Sequence, residues 1–61
     1  MSRVGADARR ETILGAARHV LGESGSEAVT MISLAKHTGL SRPAIYQYFP
    51  SRDHVLGELM L

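Results

Sequence analysis

Apolar residues recur at helical spacing over the first third of the chain, with charged residues between them. They are Ile13, Leu14, Ala17, Val20 and Leu21. The pattern predicts a first helix from Ala8 to Glu23, with Asp7 as a plausible N-cap and Ser24-Gly25 as the stop. Residues 1–7 are expected to form a flexible arm ahead of that helix.

A second, shorter helix is predicted after Thr30. The segment "MISLAKH" that follows this threonine has apolar residues at i, i+3, i+4 spacing, so Thr30 is expected to cap the helix. These apolar residues are Met31, Leu34 and Ala35. Thr38-Gly39 ends the helix, because glycine accepts the positive φ that a tight turn between helices demands.

The segment from Ser41 to Phe49 predicts a third helix. Ser41 can cap it, and Pro43 is tolerated in the first turn because its missing N–H would be unpaired there. Ile45 and Phe49 are four residues apart and are expected to face inward. Their expected core partners are Leu34 and Leu21.

Pro50 ends the third helix, and Ser51 is predicted to cap a fourth. The apolar stripe of that fourth helix is still running at Leu61, with no glycine, proline or basic turn to close it. The stripe consists of Val55, Leu56, Leu59 and Met60. We expect this stripe to be exposed and the end of the chain to be a boundary within a longer protein.

The predicted elements give an all-α fold, since no segment has a strand pattern. It is a helix-turn-helix three-helix bundle of the homeodomain-like kind plus the start of a fourth helix. We expect one domain over residues 8–61. In this arrangement the second helix of the motif, here the segment Ser41–Phe49, enters the major groove of DNA.

Composition narrows the class of protein. The chain has 61 residues, 44% hydrophobic and 21% charged, which suits one small globular core. It has no cysteine, which excludes disulfides and thiolate metal sites, and no cofactor or metal is expected. No apolar run is long enough to span a membrane, and the start lacks a signal peptide, so we expect a cytoplasmic protein.

The charges are sorted along the chain although the net charge is only +1. The span from Ala28 to Arg52 contains Lys36 and Arg42 and ends in Arg52, but holds no acidic residue. Such a locally basic segment is typical of a face that binds a polyanion. A chance gap on a solvated surface is the alternative.

Two other functions compete with DNA binding. His19, His37 and His54 are the candidate bases for an enzyme, but none has a cysteine or a carboxylate at a spacing that builds a triad or metal site, so we expect no catalysis. The second alternative is a helical protein-interaction module that docks a partner through the stripe of the fourth helix.

The order and spacing of several motifs point to a known family. The stretch "ETILGAARHVLGESGSEAVTMISLAKHTGLSRPAIYQYFPSRDHVL" resembles the N-terminal DNA-binding domain of the TetR family of bacterial transcriptional repressors. The resemblance covers about Arg9 to Leu61. Its signals are "IL-x-AA" in the first helix, Gly25, "T-x-x-x-LA" from Thr30, "GLS" from Gly39 and "IYQYFPSRD" from Ile45.

The resemblance implies a set of base contacts at the start of the third helix. The position of Arg42 commonly reaches a base edge in the family, where an arginine suits guanine O6 and N7; a phosphate contact or free solvent is the alternative. Pro43 and Ala44 resemble positions that press against bases or thymine methyls, although Pro43 also serves helix initiation. Gln47 is expected to point into the groove or toward the backbone.

The resemblance also implies phosphate contacts. Thr30 matches a threonine that caps the second helix and touches a phosphate. The alternative, that Thr30 only caps the helix, stands equal to it. The hydroxyl of Ser41 is also expected to contact a phosphate. Tyr46 and Tyr48 match two positions that contact phosphates, and Arg52 resembles a basic residue that clamps one.

Two features depart from the family pattern. Ile32 stands where some members carry a polar or basic residue near the groove, so it makes an apolar contact or none. The large C-terminal region that holds the family's ligand pocket and most of its dimer interface is expected to lie outside these 61 residues. The implied partner is a palindromic double-stranded operator, bound by a homodimer of the full-length protein; the chain alone is expected to be a monomer or to self-associate weakly.

Overall fold

The computed structural model describes residues 4–61, and these residues form four α-helices, one 3-10 turn and no strand. The all-α fold expected from the sequence is therefore confirmed. The helices are α1 (Val4–Ser24), α2 (Met31–Thr38), α3 (Arg42–Tyr48) and α4 (Arg52–Leu59), with the 3-10 turn Ser26–Ala28 between α1 and α2.

The first helix begins earlier than the apolar pattern indicates. It starts at Val4, so Asp7 lies in its first turn and does not cap it. An acidic side chain in that turn complements the positive end of the helix dipole. Residues 4–7 thus belong to α1 and not to a flexible arm; the remainder of the predicted arm, residues 1–3, lies outside the described residues.

The predicted start and end of α2 are confirmed. The backbone N–H of Ser33 donates to Thr30 Oγ1 at 3.0 Å, and the N–H of Thr30 donates to Ser33 Oγ at 3.0 Å. These two reciprocal bonds form a capping box. At the other end Gly39 has φ 77°, and its N–H donates to the carbonyl of Ala35 at 2.9 Å. The left-handed conformation that ends α2 favours glycine.

The predicted bounds of α3 are also confirmed. The hydroxyl of Ser41 accepts a hydrogen bond from the N–H of Ala44 at 3.3 Å, and Pro43 lies in the first turn. Phe49 leaves the helix with φ −135° and ψ 104°. This extended conformation is the one that a residue before proline adopts, so Pro50 ends α3.

Ser51 is the N-cap residue of α4, as predicted, but the side-chain bond expected of a cap is absent. Ser51 precedes the helix, but its hydroxyl makes no bond to a backbone N–H of the first turn. Its Oγ instead lies 2.8 Å from Nδ1 of His54. The Ser51 hydroxyl is therefore directed at a side chain three residues further along and not at a backbone N–H of the first turn.

The expectation of an exposed stripe on α4 is wrong for most of its length. Val55 is fully buried, and Leu56 and Leu59 pack against the core. Within the stripe only Met60 stays open, with 82% of its surface exposed; Leu61, which follows the stripe, is 96% exposed. The reason is that α4 folds back onto α1, which covers the stripe.

One core joins all four helices, and α1 is its centre. α1 packs against α2, α4 and the 3-10 turn, while α2 also packs against α3. Ile45 and Phe49 are 0% and 1% exposed, as their spacing predicts; Leu21, one of the two partners expected for them, is only partly buried. The buried residues are Ile13, Leu14, Ala17, Val20, Val29, Met31, Leu34, Ile45, Phe49 and Val55.

An arginine of α1 ties the two ends of the chain together around this core. Arg10 Nη2 lies 2.8 Å from Glu58 Oε2 of α4. The same guanidinium lies over the ring of Phe49, with Cζ 4.8 Å from the ring centroid, which is within the range of a cation–π interaction. This contact holds the end of α3 between α1 and α4.

Candidate nucleic-acid interface

The third helix exposes one face to solvent. Successive residues of an α-helix are rotated by about 100°, and the side chains that lie about 60° to 200° around the helix from the buried Ile45 form one exposed surface. The residues on that surface are Arg42, Pro43, Tyr46 and Gln47, and all four are exposed. Three of the four predicted base contacts and the first of the two tyrosines therefore share one accessible face.

The two other side chains predicted on α3 lie at the edges of this face. Ala44 and Tyr48 are both half-buried, and Tyr48 packs against the core. The body of Tyr48 thus contributes to stability, whereas Tyr46 is 47% exposed and lacks that role. The contacts with bases and phosphates expected of both residues stay predictions.

Two hydroxyl groups combine capping with a free donor. Thr30 Oγ1 accepts the N–H of Ser33, and Ser41 Oγ accepts the N–H of Ala44. In each case the oxygen acts as acceptor, so the hydroxyl hydrogen can still be donated to a phosphate oxygen. For Thr30 the cap is confirmed, and the phosphate contact stays a prediction for both residues.

Arg52 has a contact that the sequence did not predict. Its Nε donates to the carbonyl of Val29 at 2.6 Å, and its Nη2 donates to the carbonyl of Ser26. The guanidinium therefore ties the first turn of α4 to the segment that links α1 to α2. These two bonds use two of the five N–H donors of the guanidinium, so the phosphate clamp expected for Arg52 would use Nη1 or the second hydrogen of Nη2.

The charges of the described residues favour an anionic ligand at α2 and α3. Lys36 and Arg42 are both exposed. The nearest acidic residues along the chain are Glu27, in the 3-10 turn, and Asp53, in the first turn of α4. Lys36 was not assigned a contact from the sequence, because neither a motif nor the family resemblance singled it out.

The three histidines, which are the candidate bases for an enzyme, each contact another side chain in the structure. The rings of His19 and His37 meet edge-on with their centroids 5.7 Å apart, and His54 is bonded to the Ser51 hydroxyl. Residues 4–61 contain no group of three or more side chains suited to hold a metal ion. Within the same range, no helix has the length and apolar character needed to cross a lipid bilayer.

Comparison with known proteins gives a match over most of the chain. The family model described as "Bacterial regulatory proteins, tetR family" matches residues 13–59. The matched region contains α2, α3 and α4 and most of α1. No solved structure matches the chain significantly.

Several curated relatives are similar to the chain over nearly its whole length. Nucleoid occlusion factor SlmA of Photorhabdus laumondii is 42% identical over 53 residues, which is 85% of this chain and 27% of the relative. HTH-type transcriptional regulator EthR of Mycolicibacterium smegmatis is 37% identical over 59 residues, 97% of this chain and 27% of the relative. HTH-type transcriptional regulator BetI of Rhizobium meliloti is 37% identical over 57 residues, 92% of this chain and 28% of the relative. The chain thus spans about a quarter of the length of these curated relatives.

Proposed function

Because the chain belongs to the tetR family of bacterial regulatory proteins, we propose that it binds double-stranded DNA and regulates transcription, with α3 lying in the major groove. The observation that carries the proposal is the exposed face of α3. It combines a guanidinium, an amide and a phenol on one side of a helix whose opposite side is anchored in the core. Rigid anchoring matters because readout of a base edge requires a fixed donor geometry.

Sequence specificity is assigned to the first and last turns of α3. Arg42 stands at the first helical position, where an extended guanidinium can reach guanine O6 and N7 together. Gln47 lies five residues further along and can pair with an adenine edge. Pro43 and Ala44 have no hydrogen-bonding side chain, so their contribution is apolar contact with the groove floor.

Affinity is assigned to the surrounding hydroxyl and basic groups. Tyr46 is the strongest candidate for a phosphate contact, because 47% of its surface is exposed and it lies beside Arg42 on the outer face. Thr30, Ser41 and Tyr48 add hydroxyl donors at the ends of α2 and α3. Such contacts fix the register of the protein on the duplex and carry no sequence information themselves.

The complete regulator is proposed to act in the cytoplasm as a homodimer on a palindromic operator. Two copies of α3 would then enter successive major grooves about 34–36 Å apart. Repression is the proposed outcome, because a dimer bound across an operator excludes other proteins from the same grooves. The competing role as a protein-docking module has little support, since the stripe of α4 on which it depended is mostly covered by α1.

The test is a fluorescence anisotropy titration of labelled duplex DNA at 50 and 200 mM salt. For contacts with about two to four phosphates, the affinity should fall by about 10- to 150-fold between the two conditions. Arg42→Ala should cost about 1–3 kcal/mol on a site obtained by selection and relax the preference for guanine at one position. Tyr46→Phe should weaken binding to all duplexes alike, by about 0.5–1.5 kcal/mol.

Arg18→Ala provides the matched control, since Arg18 is exposed in α1 outside the acid-free segment. It removes one positive charge and should leave the base preference unchanged. Equal losses for Arg42→Ala on selected and random DNA would demote Arg42 to a phosphate contact. Binding that is insensitive to salt, to Arg42→Ala and to Tyr46→Phe would reject the proposed function.

A further inference from the structure

Ile32 is an exposed apolar residue in the first turn of α2. Its surface is 58% exposed, although the neighbours on either side, Met31 and Ser33, are buried and half-buried. A single exposed isoleucine is common on protein surfaces and needs no explanation by itself. Ile32 differs from such residues because it lies close to α3 and to a positive charge.

The geometry of α2 shows which side of the helix Ile32 occupies. Met31 and Leu34 point into the core, and the rotation of about 100° per residue then places Ile32 and His37 on opposite sides of the helix. The ring of His37 contacts His19 of α1, so α1 flanks that side. The main helical neighbours of α2 are α1 and α3. Ile32 therefore lies on the side that adjoins α3.

A positive charge accompanies Ile32 on that side. Lys36 lies one turn further along α2, at the i+4 position, and is also exposed. Both residues fall within the acid-free segment from Ala28 to Arg52. This side of α2 thus carries one aliphatic side chain and one cation beside the exposed face of α3. Neither α2 nor α3 contains an acidic residue that would repel a phosphate there.

We propose that Ile32 is a specificity-determining residue that contacts the 5-methyl group of a thymine, while Lys36 contacts a phosphate of the same groove. The inference rests on the proposed DNA binding by α3 and extends the reading surface to α2. The thymine methyl is the apolar feature that a major groove presents, and a branched aliphatic side chain can bury it. Isoleucine has no polar atom with which to bind a phosphate, so an exposed isoleucine here favours a methyl group as its partner.

The experiment removes the methyl group without changing any hydrogen-bonding atom. A duplex site selected with the wild-type chain is prepared with each thymine replaced in turn by deoxyuridine, and affinities are measured by anisotropy for wild type, Ile32→Ala and Met60→Ala. Met60 provides the matched control, because it is an exposed apolar residue beyond the last turn of α4. Far-UV circular dichroism checks that each variant is folded, which is expected since both side chains are exposed.

For the wild type, one thymine should lose about fourfold in affinity when its methyl is removed, as expected for burial of one methyl-sized group. In Ile32→Ala the same replacement should change affinity less than 1.5-fold, whereas Met60→Ala should retain the fourfold loss. The inference is overturned if no thymine is sensitive, or if the sensitive thymine responds equally in wild type and Ile32→Ala. In those cases binding that still depends on Arg42 would leave the proposed function standing. If the wild-type chain selects no site at all, the proposed function fails, and this inference with it.

Discussion

The side chain of Arg52 has two candidate roles, and these roles predict opposite effects of substitution on stability and on DNA binding. In the structure it donates from Nε and Nη2 to the carbonyls of Val29 and Ser26. These bonds join α4 to the connection between α1 and α2. The family resemblance instead implies a phosphate clamp. Arg52→Lys distinguishes the two roles, because lysine keeps the charge but loses the fork of donors that spans two carbonyls.

The expected loss of stability follows from the two hydrogen bonds. A hydrogen bond from a charged donor contributes about 1.5–3 kcal/mol. Arg52 is half-buried, and its bond to Ser26 is exposed to solvent, so values at or below the lower end of this range apply. Removing both bonds in Arg52→Met should therefore cost about 2 kcal/mol. Arg52→Lys, which can retain at most one of them, should cost about 1 kcal/mol. A domain of this size has roughly 3–9 kcal/mol in total.

The assay is urea unfolding followed by far-UV circular dichroism, in parallel with DNA titration at fixed salt. Arg18→Lys is the control, because Arg18 is exposed and the exchange should change stability by less than about 0.5 kcal/mol. If Arg52→Lys is as stable as the wild type while Arg52→Met loses only DNA affinity, the internal role is refuted and the phosphate clamp is favoured. If Arg52→Lys is destabilised and the salt dependence of binding is unchanged, the internal role stands.

Three further predictions concern the core, the turn and the valency of binding. Phe49→Ala should lower the free energy of unfolding by about 3–5 kcal/mol, since Phe49 is 1% exposed, and should leave little or no cooperative urea transition. A transition near the wild-type midpoint would contradict the assigned core. Gly39→Ala should destabilise by about 1–2 kcal/mol because of its φ of 77°, whereas Gly22→Ala, inside α1, should stabilise by about 0.5–1 kcal/mol. An added methyl meets no other atom within 4 Å at either glycine, so changes of the same sign in the two urea transitions would contradict this conformational explanation. Fusing two copies through a dimerising segment should raise the affinity for a palindromic duplex by about 10²- to 10⁴-fold, measured by anisotropy. Nanomolar, strictly sequence-specific binding by the single chain would contradict the expectation that it acts as a monomer.

Much of the local structure could be predicted from the sequence because its signals act over three or four residues. The cap at Thr30, the turn at Gly39 and the stop before Pro50 depend on backbone groups that neighbouring residues supply. The same is true of the face of α3, because the inward spacing of Ile45 and Phe49 leaves only one surface for the polar residues. The candidate DNA-binding face was therefore predictable before its surroundings were known.

The errors made from the sequence also have a physical cause. Ser51 has the residue type and position of a cap, but its hydroxyl lies against the His54 imidazole and makes no bond to a backbone N–H of the first turn. The stripe of α4 is apolar whether it lies open or covered, so periodicity alone does not say which. Its cover depends on the direction in which α4 leaves the turn after α3, and the packing of the whole core sets that direction.

What the sequence by itself determined is the set of helices, the ends of α2 and α3 and the chemical character of the α3 face. What only the tertiary structure decided is the set of contacts between distant segments. Arg10 meets Glu58 and Phe49, and Arg52 meets the segment before α2. Each of these arginines could equally have been a solvated charge or a phosphate contact. Their partners come within reach only after burial of the apolar faces fixes how the helices cross, because a long charged side chain has no positional preference of its own.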